Sequence, residues 1–264
     1  MAERSLATRR TLRLVLALVF AFLYIPIAVL VALSFNKGGL PTAWSGFSLK
    51  WYASLAGNSA ILSAGLNTLI VALVSTATAT LLGTLLAIGV EMRRRHGKAL
   101  EALIFAPMII PDIVLAIALL SFFSMLNLTM GLHTIILAHV VFNLAFVCSV
   151  VRARLKSFDW SIVEASADLG ASAFTTFRRV TLPVILPAVI AGALLAFTLS
   201  VDEFIIAFFT AGAGRASTTL PMQIYSMIRF GITPEINALA TIVMAVSITA
   251  LTLSQRLNRG IIGQ

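Results

Sequence analysis

Apolar runs of about twenty residues or more recur along this chain, and each is long enough to cross a hydrocarbon layer roughly 30 Å thick. Hydrophobic residues make up 59% of the 264 residues and charged residues 11%, whereas a soluble domain keeps about a quarter of its residues charged. The sequence therefore predicts an all-α, polytopic membrane protein and excludes a soluble globule with one core. We place six predicted spans, at residues 12–34, 61–90, 102–126, 133–155, 183–210 and 235–257.

The distribution of lysine and arginine predicts the orientation of these spans. Fifteen of the 19 basic residues lie in the N-terminal tail, at residues 93–98, around the loop between the fourth and fifth spans, or near the C-terminus. Because such residues are enriched in cytoplasmic loops, we expect both termini in the cytoplasm and outer loops at residues 35–60 and 211–234. The same bias explains the net charge of +9, so we expect the chain to contact a lipid bilayer and no nucleic acid.

Two further features bear on processing and redox chemistry. The N-terminal residues have the charge pattern of a secretory signal, with arginines before an apolar stretch. The apolar run continues to about Leu33, longer than the corresponding region of a cleaved signal, so we expect a retained first span. Cys148 is the only cysteine and lies within an apolar run, which excludes a disulfide framework and a CxxC site.

Three carboxylates fall inside predicted spans, Asp112 in the third and Asp202 and Glu203 in the fifth. An acid at mid-span costs about 2.5–3.5 kcal/mol, so we expect these side chains to face a protein interior or a wet path rather than lipid. Helical spacing puts Thr198 and Asp202 on one face and Ser200 and Glu203 on another. We therefore expect one acid of the adjacent pair to meet a central path.

These acids have two interpretations. They line a route for a cation, or they pair with a neighbouring helix and only hold the bundle together. Because Asp112 lies near the inner end of its predicted span and Asp202 toward the outer end of its own, we expect them to act at different depths.

Other small or polar residues in the spans are expected to have structural roles. His139 and Asn143 share a face of the fourth span and are predicted to form hydrogen bonds between helices. Small residues at i+4 spacing in the second span predict close helix packing, namely Ser75, Ala79, Gly83 and Ala87. Three prolines are expected to kink or unwind spans, namely Pro107, Pro111 and Pro187. In the second outer loop, Thr219 is predicted to cap a short helix.

The loop between the fourth and fifth spans has the punctuation of two short helices. Ser161 to Glu164 fits a capping box that opens the first helix. Gly170 is predicted to end it in a left-handed conformation, and Ser172 to cap a second helix that runs to Arg179. Leu182 and Pro183 then begin the fifth span. The sequence thus predicts a rigid, polar knob in the cytoplasm.

The same segment resembles the EAA motif of membrane subunits of ATP-binding-cassette importers. That motif reads E-A-A, three residues, G, nine residues, and I-x-L-P, and this spacing is kept. The matching residues are Glu164, Ala165, Ser166, Gly170, Val180, Thr181, Leu182 and Pro183. Ser166 replaces the second alanine and Val180 replaces isoleucine.

Similarity extends over nearly the whole chain to the spermidine/putrescine permease subunits, and most to the second, shorter permease of that system. It is carried by stretches such as FLYIPIAVLVALSFN, IIPDIVLAIALL and LAFTLSVDEFIIAFF. The resemblance implies one transmembrane domain over residues 1–264 with the type I importer (MetI-like) fold in the bacterial inner membrane. It also implies a cytoplasmic coupling segment at residues 156–182.

The resemblance further implies partners and residue roles. The partners are a cytoplasmic ATPase dimer, a second, similar permease subunit and a periplasmic substrate-binding protein. By the resemblance, Glu164, Ala165 and Gly170 contact the ATPase, and we predict further coupling residues in the same segment at Ser166, Asp168, Leu182 and Pro183. By the same resemblance, Asp112 and Asp202 attract the ammonium groups of a polyamine, and we predict further residues of the substrate path at Glu203 and Thr198. A different small solute, and either a homodimeric or a heterodimeric permease pair, are also compatible with this motif.

Missing motifs exclude several enzyme classes. The chain has no GxxxxGK[ST] phosphate loop, so we expect ATP and Mg²⁺ to be bound by the partner ATPase, and no cofactor or metal by this chain. It has no HExxH motif and no plausible Ser/His/Asp arrangement. A proton-coupled carrier that uses the three acids as a relay is an alternative, but it gives the knob no role. An intramembrane aspartyl protease is disfavoured, because the IPDI and SVDEF stretches lack the YD and GxGD signatures.

Overall fold

The computed structural model of the chain describes residues 2–39, 43–92, 97–231 and 233–262, and these are almost entirely helical. The α-helices are α1 (Ala2–Ser34), α2 (Lys50–Gly57), α3 (Ser59–Met92), α4 (Gly97–Ile109), α5 (Asp112–Met125), α6 (Leu132–Leu155), α7 (Ser161–Asp168), α8 (Ala173–Thr176), α9 (Leu182–Asp202), α10 (Ile205–Thr210), α11 (Leu220–Phe230) and α12 (Pro234–Ile262). Within the described ranges the β-structure is one isolated bridge, between Asn36 and Phe47.

Four helical stretches in the described residues are long and apolar enough to cross a membrane, at 11–34, 59–92, 132–155 and 173–202. They match the first, second, fourth and fifth predicted spans. The bent pair α4 and α5 makes a fifth if it is taken as one span. In α12 the apolar stretch is shorter, at 234–249, so the sixth span and the orientation of both termini stay predictions.

The chain divides into two compact units, one formed by residues 1–59 and 224–264 and the other by residues 60–223. In the first unit α1 and α2 both pack against α12, and Ser54 Oγ donates a hydrogen bond to Glu235 Oε1 at 3.1 Å. The connection after α1 is folded around Asn36, whose amide donates to the Ala43 carbonyl and accepts from the Ser45 backbone N–H. The Trp51 indole in turn donates to the Asn36 carbonyl, which joins α2 to this turn.

The second unit is organised around α6, which packs most extensively on α9. A Cβ added at Gly83 of α3 would lie 2.9 Å from Val147 Cβ, and one added at Gly192 of α9 would lie 3.4 Å from Val147 Cα. The two glycines therefore let α3 and α9 approach the same residue of α6. The prediction of close packing along the small residues of the second span is confirmed, because Ser75, Ala79, Gly83 and Ala87 are all buried.

The third predicted span, at residues 102–126, is not one helix. The chain breaks between Ile109 and Asp112, and α4 and α5 meet at 111°. Pro111 explains the break, because it lacks an N–H and disfavours helical geometry in the residue before it. Its backbone is extended, with φ −54° and ψ 136°. The predicted effect of Pro111 is confirmed, whereas Pro107 and Pro187 stay inside α4 and α9.

The fifth predicted span, at residues 183–210, differs from the structure at both ends. Helix α8 continues without a break through a π-helical turn, Phe177–Thr181, into α9. Leu182 and Pro183 therefore do not begin a separate helix. For the same reason, the second helix of the knob does not stop at Arg179. At the other end α9 stops at Asp202, because Glu203 is extended with ψ 117°, and α10 begins at Ile205. Neither end carries a sequence signal as clear as Pro111.

The predicted cap at Thr219 is wrong. Its hydroxyl is buried and has no hydrogen-bond partner among the residues that the structure describes. The first N–H of α11, at Leu220, instead donates to Thr68 Oγ1 of α3 at 2.7 Å. A residue 152 positions earlier in the chain supplies the cap, which local sequence does not reveal.

Candidate functional site: an acidic break and a coupling knob

Two helix breaks lie side by side in the second unit and carry carboxylates. Asp112 is the first residue of α5, and Glu203 stands in the gap between α9 and α10. Helix α5 packs against α10, with Leu115, Ala116, Leu119 and Ile206 in one buried cluster, so the breaks that carry Asp112 and Glu203 belong to adjacent helices. We call Asp112, Asp202 and Glu203 the acidic break.

The expectation that Asp112 and Asp202 act at different depths stays a prediction, but it assumed a straight third span. The 111° bend instead makes Asp112 the first residue of a separate helix, α5, which packs against α10. The backbone of both breaks needs hydrogen-bond partners inside an apolar environment. Glu203 supplies one, because its Oε1 accepts the backbone N–H of Ile206 in the first turn of α10.

The two adjacent acids have different surroundings. Glu203 is half-buried and bonded to the backbone of α10, whereas Asp202 is exposed at the end of α9. Thr198 is also exposed on the last turns of α9, and its hydroxyl donates to the Leu194 carbonyl of its own helix at 2.8 Å. The structure therefore places Glu203 at a break beside α5, and leaves Asp202 and Thr198 exposed on α9.

A buried hydrogen-bond cluster supports the last turn of α9. The Ser200 hydroxyl lies 2.7 Å from His139 Nδ1 of α6 and 3.1 Å from the Ser75 hydroxyl of α3. The prediction that His139 bonds between helices is confirmed. The same prediction for Asn143 is wrong, because both polar atoms of its buried amide lack a partner in the described residues. Sequence reasoning assigned Ser200 to a face with Glu203 and did not find this role.

The predicted knob forms at residues 161–176. Helix α7 ends in a reversal at Gly170, whose φ is +80°. The Gly170 N–H donates to the Ala167 carbonyl, and the Ala171 N–H donates to the Ser166 carbonyl. This is the pattern in which glycine is favoured after a helix, because it adopts positive φ without a steric penalty. The predictions for Gly170 and for the Ser172 cap, which accepts the Thr175 N–H, are confirmed.

The capping box predicted for Ser161 and Glu164 is wrong. Helix α7 has no side-chain cap from Ser161, and the N–H of Ser161 instead donates to Asp159 Oδ1 at 3.0 Å. Hydrogen bonds from the Ser161 side chain and backbone hold the pKa of Asp159 below its ordinary value. An aspartate two residues before the helix is a signal that could have been read, since such side chains commonly bond to the backbone two residues later.

The motif residues of the knob differ in exposure. Glu164, Ala165, Asp168 and Gly170 are exposed, with Leu169 beside them at 89%. Ser166 is half-buried instead, and its hydroxyl lies 2.9 Å from Thr176 Oγ1 of α8. Of the last two motif residues, Leu182 packs in the core below the knob and Pro183 is exposed.

The knob is anchored to the helices by an apolar cluster. Phe158, Trp160 and Val163 pack with Val151 and Leu155 of α6, and the same cluster includes residues of α3, α4 and α9. A cavity of about 270 Å³ lies between the knob and the end of α3. Trp160, Val163 and Phe177 line it from the knob side, and Ile88 and Met92 from α3. The polar surface of the knob thus rests on apolar side chains.

Arg152 of α6 joins three helices just before the knob. Its Nη1 lies 2.6 Å from Glu101 Oε1 of α4, and its Nε lies 3.5 Å from Glu91 Oε2 near the end of α3. Sequence reasoning counted Arg152 only as a loop cation. Among the residues that the structure describes, no group of three or more His, Cys, Asp or Glu side chains is placed to hold a metal ion.

Comparison with known proteins identifies the family. The family described as the binding-protein-dependent transport system inner membrane component matches residues 79–261, well over half of the chain. The chain belongs to this family. The match begins in the second half of α3 and includes the acidic break, Arg152 and the knob.

Relatives in this family cover nearly the whole chain. The spermidine/putrescine transport system permease protein PotC of Escherichia coli K12 is 41% identical over 242 residues, which are 91% of this chain and 91% of that protein. The putrescine transport system permease protein PotI of the same strain is 44% identical over 239 residues, 87% of this chain and 84% of that protein. PotC of Haemophilus influenzae is 40% identical over 242 residues.

Solved structures of ATP-binding-cassette importers share the fold. One chain of a bacterial transporter that imports the acidic polysaccharide alginate superposes with a TM-score of 0.75 at 14% identity, over 97% of both chains. A chain of the MetNI methionine transporter in an inward-facing conformation gives a TM-score of 0.64 at 17% identity, over 76% of this chain and 95% of that one. The MetI-like fold expected from the sequence is thereby confirmed.

Proposed function

We propose that the chain is the permease subunit of an ATP-driven importer that moves polyamines across the bacterial inner membrane by alternating access. The observation that carries this proposal is 41% identity over 91% of both chains to a spermidine/putrescine permease, with 44% identity to a putrescine permease. The acidic break supports it, because a polyamine presents several ammonium groups, and carboxylates in an apolar interior attract such cations strongly.

The solute path in this proposal runs past the acidic break. Asp112 begins α5 and Glu203 precedes α10, these two helices pack together, and both residues are half-buried. An ammonium group between them would offset their mutual repulsion, which favours binding of a cation over an anion. Asp202 and Thr198, on the open face of α9, provide the next polar positions along the path.

Energy in this proposal enters at the knob. The chain has no phosphate loop, so a cytoplasmic ATPase dimer binds ATP with Mg²⁺ and contacts Glu164, Ala165, Asp168 and Gly170. The other motif residues stabilise the knob, namely Ser166, Leu182 and Pro183. A second, similar permease subunit completes the path, and a periplasmic binding protein delivers the solute. Both termini lie in the cytoplasm, as the positive charges favour.

Uptake by the reconstituted complex in proteoliposomes tests this function. Radiolabelled spermidine and putrescine are presented with the binding protein outside and ATP inside, and we expect uptake that stops when the partner ATPase carries a substitution that prevents hydrolysis. Uptake that persists with the inactive ATPase, and that follows a proton gradient instead, would establish the proton-coupled carrier. A titration of the binding protein with both amines identifies the preferred solute.

A further inference from the structure

Arg152 makes contacts that neither the proposed path nor the knob surface uses. Its guanidinium binds Glu101 through both terminal nitrogens, with Nη1 to Oε1 at 2.6 Å and Nη2 to Oε2 at 2.9 Å. Its Nε lies 3.5 Å from Glu91 Oε2, and its Cζ lies 5.9 Å from the centre of the Phe105 ring. The Arg152 and Glu91 side chains are 12% and 13% exposed and that of Glu101 is 35% exposed, so solvent screens the contact with Glu91 less than the pair with Glu101.

These partners belong to different helices. Glu91 is at the end of α3, whereas Glu101 and Phe105 belong to α4. Without Arg152, two carboxylates would be held near each other with no guanidinium between them. A bidentate pair between arginine and a carboxylate is stronger and more directional than a simple ion pair. Arg152 therefore fixes α4 to α6 in one relative orientation.

The part of α6 around Arg152 packs in the same apolar cluster as the residues that lead into the knob. Val151 and Leu155 flank it on α6 and are completely buried. They belong to the apolar cluster that includes Phe158 and Trp160, the residues that lead into α7. Since Phe158, Trp160 and Val163 all pack against this cluster, we expect displacement of α7 to carry the end of α6 with it. Among the described residues the cluster includes Ile104 from α4, and the ion pair between Arg152 and Glu101 adds a polar attachment of α4 to α6.

Helix α4 leads directly to the acidic break. It ends at Ile109, and Asp112 begins α5 on the far side of the 111° bend. A rotation or shift of α4 changes the direction from which the chain enters Pro111, and therefore the position of Asp112. The knob and Asp112 are thus joined through α6, Arg152 and α4, a connected set of packed and paired groups.

We infer that Arg152 is a positioning residue for energy coupling, which transmits the displacement of the knob to α4 and so to Asp112. The inference rests on the proposed function. It predicts that loss of the ion pairs leaves ATP hydrolysis intact while hydrolysis no longer drives the solute across. Lysine is not equivalent in this role, because a single ammonium group cannot hold both oxygens of Glu101 and also reach Glu91.

The test measures solute taken up for each ATP hydrolysed by the complete complex in proteoliposomes. For Arg152→Gln we expect this ratio to fall by roughly tenfold or more, with normal ATPase association and stimulation. Glu101→Gln removes the negative charge of the partner on α4 and is expected to have the same effect. Arg154→Gln is the matched control, because Arg154 is two residues further along α6, exposed, and bonded only weakly to the Val184 carbonyl at 3.4 Å. It should stay within about twofold of wild type.

Charge exchange separates the ion pair from other effects of substitution. Arg152→Glu should lose coupling, and Arg152→Glu combined with Glu101→Arg should recover much of the ratio, giving a positive coupling energy in a double-mutant cycle. An unchanged ratio in both Arg152→Gln and Glu101→Gln overturns the inference. A proportional fall of uptake and ATPase stimulation also overturns it, because such a result indicates a role in assembly.

A distance measurement decides the inference even if wild type shows no ATP-driven uptake, the result that would refute the proposed function instead. Spin labels are attached at Leu103→Cys on α4 and Ser157→Cys after α6, in a Cys148→Ala background. Both sites are exposed, so labels should not disturb the core. We expect one narrow distance distribution in wild type and a broadened one in Arg152→Gln. Equally narrow distributions would show that Arg152 does not fix α4, and would overturn the inference.

Discussion

The acidic break and the knob both carry carboxylates on interrupted helices, but they are built in opposite ways. At the break, each freed backbone group lies in an apolar environment and must be satisfied by protein, as Glu203 does for α10. Behind it, His139, Ser200 and Ser75 form a buried cluster. The knob instead exposes Glu164, Asp168 and Gly170, and its termini are satisfied by a local turn and by Ser172.

The difference follows from the free-energy cost of a charge, which is high inside a membrane span and low in water. An acid within a span costs about 2.5–3.5 kcal/mol, so the break keeps charges only where they can attract a cation or cap a helix. Among the described residues, no lysine or arginine pairs with Asp112 or Glu203, whereas Glu91 and Glu101 are both paired with Arg152. On the knob a charge costs little, because water solvates it, and geometry is the main constraint.

The largest expected effect comes from Glu203. Glu203→Leu removes both the charge and the cap of α10, and we expect uptake to fall by about a hundredfold, because a lost cap and a lost cation contact each cost about 1–2 kcal/mol or more. Glu203→Gln keeps an oxygen for the Ile206 N–H and removes only the charge, so a fall of about tenfold is expected. Uptake by proteoliposomes and binding of the ATPase are measured together, and ATPase binding should be unchanged.

Asp202→Asn is the matched control for Glu203→Gln, since it removes the neighbouring charge without touching a cap. We expect a reduction of a few-fold, because Asp202 is exposed at the end of α9 and Glu203, not Asp202, accepts the Ile206 N–H. Wild-type uptake by both neutral variants would mean that the carboxylates of the break have a structural role only, and the contrast with the knob would then disappear.

The next largest effect is expected at Gly170, where association with the ATPase should change rather than the solute path. An L-residue in the left-handed region costs about 1–2 kcal/mol, and no atom lies within 4 Å of the position of an added Cβ. Gly170→Asp should therefore insert normally but distort the reversal and add a charge at the ATPase contact. We expect association with the ATPase to fall by about tenfold.

Gly170→Asn removes the negative charge of that variant and keeps a residue that tolerates the left-handed backbone at this position. Asparagine tolerates positive φ better than most residues and carries no charge, so association should be largely restored. If Gly170→Asp binds and stimulates the ATPase as wild type does, the knob loses its proposed role as the contact for energy coupling.

The smallest effect is expected inside the knob. Ser166→Ala removes the hydrogen bond to Thr176 and restores the alanine of the EAA motif, at a cost of about 1 kcal/mol in local stability. Hydrogen exchange of α7 and α8 amides should speed up by about fivefold, while uptake stays within about twofold. A large loss of uptake with unchanged exchange would instead assign the Ser166 hydroxyl to the ATPase contact.

Most of the local structure of the knob could be predicted from sequence. Gly170 and Ser172 act within a few residues of themselves, and the turn they form needs no distant partner. The capping box was wrong because two local acceptors compete for the start of α7, and Asp159 rather than Ser161 provides the oxygen. That competition depends on the path of the chain after α6, which local propensity does not determine.

The acidic break was predicted only as a set of residue types. The cost of charge in a membrane singled out Asp112, Asp202 and Glu203, but the prediction of a straight third span missed that α5 begins at Asp112 and packs against α10. Pro111 was expected to kink or unwind the span, and an angle of 111° was not foreseeable from it. The supports at Ser200, Thr68 and Arg152 were missed because each binds a residue distant in sequence.

By itself, therefore, the sequence determined the apolar spans, the left-handed turn at Gly170 and the membership of a transporter family. These follow from hydropathy, from the steric freedom of one residue and from a long fixed spacing. Only the tertiary structure decided that the break at Asp112 lies beside the break at Glu203 and that Arg152 pairs α4 with α6. The physical reason is that charges and hydrogen bonds inside an apolar bundle are satisfied by the nearest partner in space, and packing of the helices determines which partner that is.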